Sequence, residues 1–211
     1  MMFEENSTPH FTLELGEVEN KQRRDQLDKF RPSQHRRGSG SWKHDGIAEI
    51  RLTSSAKSLP VFFLEVTGGP QKVGDDKFRE DQRKLFKAMN LAFTYLNEHI
   101  AWLGIPEETA SNICESHGCL VHGTTITGFR MYKHQGAFVV NEAWVVDIPT
   151  SYGALKDTNT HFLGTLLLEV KSRILDFHAA VATELRNIRS PSRRSYKRSR
   201  LELFAPSPAK K

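Results

Sequence analysis

The 211 residues, 38% hydrophobic and with a net charge of +5, suffice for one ordinary core of roughly 140–150 residues, and a second full domain is not expected. The longest apolar runs, Val61 to Leu64 and Leu166 to Leu168, fall far short of the ~20 residues that cross a bilayer. The acidic opening Met-Met-Phe-Glu-Glu-Asn lacks the basic region and apolar stretch of a secretory signal, and two cysteines, Cys114 and Cys119, build no disulfide framework. A membrane-spanning or secreted protein is therefore excluded as an expectation, and a reducing compartment fits better.

In chain order, Phe11 to Gly16 and the polar stretch Glu17 to Phe30 offer too few apolar residues for a deep core helix and read as a peripheral helix. Pro32 to Ser41 has loop chemistry, rich in proline, glycine and serine. Lys43 to Thr53 and Pro60 to Val66 read as a strand hairpin. The second is apolar except for Glu65, the pattern of a strand buried on both faces. Near Asp75 a long helix opens, with Phe78, Leu85, Phe86, Met89, Phe93, Leu96 and Ile100 at helical spacing.

Beyond a turn at Gly104-Ile-Pro, Leu120 to Tyr132 and Ala137 to Ile148 read as a second hairpin, closed by the four residues Lys133-His-Gln-Gly. A last helix is predicted from Phe162 to about Ile188 by Leu166, Leu167, Val170, Ile174, Phe177, Val181 and Leu185. From Arg189 to Lys211 there are eight Lys or Arg and one acid. That surplus exceeds the net charge of the whole chain, so the body before it is slightly negative and any pull on phosphate begins in the tail.

Two motifs carry chemistry. Lys43-His-Asp45-Gly-Ile is followed twenty residues later by Phe63-Leu-Glu65-Val-Thr67-Gly-Gly and then by a helix bearing Asp81-Gln-Arg-Lys84. Over residues 43–188 this order resembles the core of the PD-(D/E)XK restriction-endonuclease-like superfamily, and also nuclease-like domains of uncharacterised fungal and Crinkler-type proteins. The resemblance implies an α/β fold, with a mixed central sheet of four to five strands flanked by helices. It covers the domain at 43–188; residues 1–42 read from composition as a peripheral helix and flexible loop, and 189–211 as a disordered basic tail.

It further implies Asp45 and Glu65 as ligands of Mg²⁺, or of Mn²⁺, in metal-dependent phosphodiester cleavage. The family places a lysine two residues after the second acid, on the same strand face. Here Thr67 stands at that position and supplies no charge, so Lys84 on the following helix is the candidate for a relocated lysine, with Lys43 and Lys72 behind it. Glu17 or Glu19 is a further candidate acid. The bland alternatives are a simple Asp-Gly turn at Asp45 and a structural salt bridge at Glu65.

Other signals point less far. Cys114, His117, Cys119 and His122 fall within nine residues, but with spacing tighter than usual for zinc. No Gly-x-Ser-x-Gly elbow or Walker pattern is present. Trp42, Trp102 and Trp144 sit singly, as packing residues rather than a base-stacking array.

In the tail, Arg193, Arg194, Lys197, Arg198 and Arg200 alternate with serine and proline, a composition that resists core burial and suits an import receptor or phosphates. The chain is thus expected to be a nuclear, metal-dependent nuclease-like protein, with DNA favoured over RNA as substrate. A catalytically degenerate module that binds nucleic acid or a nuclear protein is the alternative, and an effector acting on a nuclear host factor is a third reading.

Overall fold

A computed structural model describes residues 11–20, 43–52, 57–68, 74–151, 153 and 159–189, without side-chain placement at 159–163, 165–167 and 189. The elements in order are β1 (Phe11–Glu19), β2 (Lys43–Ile50), β3 (Leu59–Thr67), α1 (Asp75–Trp102), α2 (Glu107–Ile113), β4 (Ser116–His122), β5 (Thr125–His134), β6 (Ala137–Asp147) and α3 (Asn159–Arg189). The chain is an α/β protein: among the described residues three helices flank one six-stranded mixed sheet of order β1-β2-β3-β4-β5-β6.

Every neighbouring pair is antiparallel except β3 and β4, which run parallel from Phe62↔His117 to Thr67↔His122. A parallel pair cannot be joined by a tight turn; α1 and α2 make the crossover. The sheet is larger than the four to five strands expected, for two reasons. Phe11–Glu19 is an edge strand and not a helix, and the stretch expected as one strand at Leu120 to Tyr132 is two, β4 and β5, turning at Gly123 with φ +61°.

Leu85, Ala88, Met89, Ala92, Phe93, Leu96 and Ile100 make the buried stripe of α1, and Asp75 and Asp76 in its first turn complement the helix dipole. The upper half of this stripe packs on Ile47, Phe63, Leu120, Phe129 and Met131. Gly118 lets the helix come close to β4, since a Cβ there would lie 2.6 Å from the Met89 sulfur. The lower half joins Ile50, Leu59 and Val61 to Ile174, Phe177, Val181 and Leu185 of α3 in a second cluster. No helix among the described residues is long and apolar enough to cross a membrane. The expected loop at 32–41, Lys72 and the tail beyond Arg189 lie outside the described residues.

Candidate functional site

On β3 the side chains of Val61, Phe63, Glu65 and Thr67 are all buried, and those of Phe62, Leu64 and Val66 between them are less so. Glu65 is therefore a carboxylate carried on a core face, 2% exposed, where an unpaired charge would be costly. Both of its oxygens have partners. His44 Nδ1 is hydrogen-bonded to Oε1, and the Lys84 ammonium donates to Oε2 at 2.8 Å.

The histidine arrives from β2. A regular continuation of the β2–β3 ladder would set Asp45 opposite Glu65, but the paired residues end at Gly46↔Leu64. Next to this end, β1 carries a bulge between Leu15 and Val18, with Gly16 at φ +107°, so that two residues of β1 oppose one of β2. There His44 turns into the core, 1% exposed, with its ring 5.0 Å from that of Phe63.

Asp45 is half-buried, and its Oδ2 accepts the backbone N–H of Val66 at 2.6 Å. The Val66 nitrogen belongs to the peptide that follows Glu65. Asp45 thus takes up a donor that the interrupted ladder leaves and holds its carboxylate against the backbone of the acid strand.

Lys84 comes from the third turn of α1, immediately before Leu85 opens the buried stripe, and keeps 27% of its side chain exposed. Thr67, two residues beyond Glu65 on the same face of β3, is fully buried, and its hydroxyl has no hydrogen-bond partner. A lysine there would have to place its charge in the core, whereas the α1 position delivers an ammonium to Glu65 along a stem that reaches solvent. Lys43 is paired at 2.8 Å with Glu17 on β1, away from Glu65. That hydrogen bond, together with the charges of Lys43 and Lys84, holds Glu17 below the usual carboxylate range, so Glu17 lies within electrostatic reach of Lys84.

The structure brings Glu65 and Lys84 into contact and sets Asp45 one peptide away, and it adds His44, which the sequence does not single out. The signal for His44 was faint: a buried strand carboxylate needs a partner, and a histidine stood beside Asp45 in the adjacent strand. Its Nε2 is buried without a partner. Among the described residues, no three or more His, Cys, Asp or Glu side chains form a metal-holding group.

The four candidate zinc ligands are dispersed among different neighbours. Cys114 belongs to the α1–α3 cluster, His122 packs on Phe78 at 4.9 Å, and His117 lies 3.7 Å from Glu115. Burial pushes both thiols up to about 12. Comparison of the chain with protein families, with curated proteins and with solved structures gives no match.

Proposed function

We propose that the chain is a restriction-endonuclease-like, metal-dependent nuclease acting on DNA, with Asp45 and Glu65 as the acids and Lys84 as the relocated lysine. The observation that carries this reading is the Lys84 to Glu65 contact at 2.8 Å. A helix supplies the cation that Thr67 cannot, to the acid beside which the family would place it. The mixed sheet, with its acids on adjacent central strands, is in keeping with the fold.

The donors suit a hard divalent cation. Mg²⁺ commonly takes one or two protein carboxylates and completes its shell with water and phosphate oxygens. Besides Asp45 and Glu65, the Thr67 hydroxyl is an oxygen on the acid strand that no protein group engages. When bound, the cation would supply Lewis-acid stabilisation and an activated water. His44 would fix the rotamer of Glu65, Asp45 would order the Val66 peptide and hold the cation with Glu65, and Lys84 would place positive charge where the phosphodiester oxygens gather. The basic residues Arg193, Arg194, Lys197, Arg198 and Arg200 of the tail would bind phosphate or an import receptor and direct the protein to the nucleus.

The test is nicking of plasmid DNA in Mg²⁺ or Mn²⁺. Wild type should nick, EDTA should stop it, and Asp45→Ala, Glu65→Gln and Lys84→Gln should each lower the rate about a hundredfold or more. A folded wild type that binds DNA without nicking it would favour the second reading, a binding-only module. That reading is favoured by the full engagement of both Glu65 oxygens, the arrangement of a structural ion pair.

A further inference from the structure

The two partners of Glu65 differ in their freedom to leave. His44 has no exposed side-chain surface, packs on Phe63 and bridges neighbouring strands. Lys84 is the partly exposed partner, on a flexible four-carbon stem from a helix. Its ammonium is also the counter-charge without which Glu65 would be a buried carboxylate lacking a cation.

We infer that Lys84 occupies, in the metal-free chain, the cation position on Glu65, so that a divalent metal and the ammonium compete for Oε2 while His44 retains Oε1. The inference rests on the metal-binding part of the proposed function and not on cleavage. Loading a metal would then do two things at once. It would replace one counter-charge of the buried carboxylate by another, and it would release the ammonium at the rim of the site, within the length of its own stem.

The experiment is Mn²⁺ titration of the full chain, by calorimetry and by electron paramagnetic resonance, alongside thermal unfolding with and without Mn²⁺. Lys84→Gln removes the competitor and should bind Mn²⁺ about tenfold to hundredfold more tightly than wild type, the worth of a charge-assisted hydrogen bond. Its unfolding midpoint should start lower than wild type and rise with Mn²⁺ by roughly 3–5 °C more. Lys84→Met, which keeps the apolar stem, should behave alike if the glutamine variant folds poorly. The double variant Glu65→Gln with Lys84→Gln should lose the Mn²⁺ response.

Variants at Lys84 that bind Mn²⁺ no more tightly than wild type would overturn the inference, as would an undiminished response in the double variant or no Mn²⁺ binding at all. Competition without nicking would remove the nuclease reading alone. Nicking without competition would remove this inference alone.

Discussion

Gly128 on β5 lies directly beneath Trp144 of β6, and a Cβ built there would meet the indole at 2.2 to 2.6 Å. Gly128→Ala is expected to lower stability by about 1–3 kcal/mol, because a rigid aromatic ring cannot fold away as a flexible chain can. Combining it with Trp144→Leu should recover part of the loss, as measured by urea unfolding. Cys114 and Cys119 make the opposite kind of prediction. Buried thiols held up at about 12 should resist alkylation in the native protein at pH 8 and react once it is denatured. At this scale the contact between Glu65 and Lys84 was legible: an acid in an apolar strand needs a partner, and where position 67 carries threonine the next helix offers a lysine. His44 was not, because its inward turn depends on where the β2–β3 ladder ends, next to a bulge in β1, and neither is written in local sequence.

The hairpin between β5 and β6 turns on two residues, Gln135 and Gly136, with φ of +49° and +84°. The four-residue loop expected there is shorter because Lys133 and His134 stay in the ladder, paired with Phe138 and Ala137. Both turn residues take the left-handed conformation, which suits glycine and asparagine and costs a glutamine. Gln135→Asn should therefore stabilise the protein by about 0.5–1 kcal/mol, read as a higher midpoint in chemical denaturation. The long helices were legible because their apolar periods run over many turns. β1 was not. Its central residues from Leu13 to Glu17 are exposed, so no buried alternation marks an edge strand whose partner, β2, lies beyond residues 21–42.

Across the whole molecule, several histidines are held neutral by burial. His117 is pushed down to about 4 by burial, with the charges of Arg173 and Arg130 adding to the effect, and burial also lowers His99 and His178. Between about pH 6.5 and 4 the unfolded chain takes up a proton at His117 that the folded chain refuses. The contribution of this residue is thus complete above pH 6.5 and is lost as the pH falls toward 4. Unfolding free energies at pH 7 and pH 5 should differ by about 2 kcal/mol less in His117→Gln than in wild type.

Among the described strands the single parallel seam also leads to an expected order of sheet assembly. It divides the sheet into two meanders of three antiparallel strands, and β4, β5 and β6 follow one another through two short turns. Closing β3 onto β4 requires the whole crossover from Thr67 to Ser116, a far larger loss of chain entropy. Docking of the meanders through α1 is then the step expected to limit folding. Weakening the β5–β6 hairpin, formed before that step, should slow refolding with little change in the unfolding rate, whereas truncating Phe63 or Leu120 at the seam should also speed unfolding.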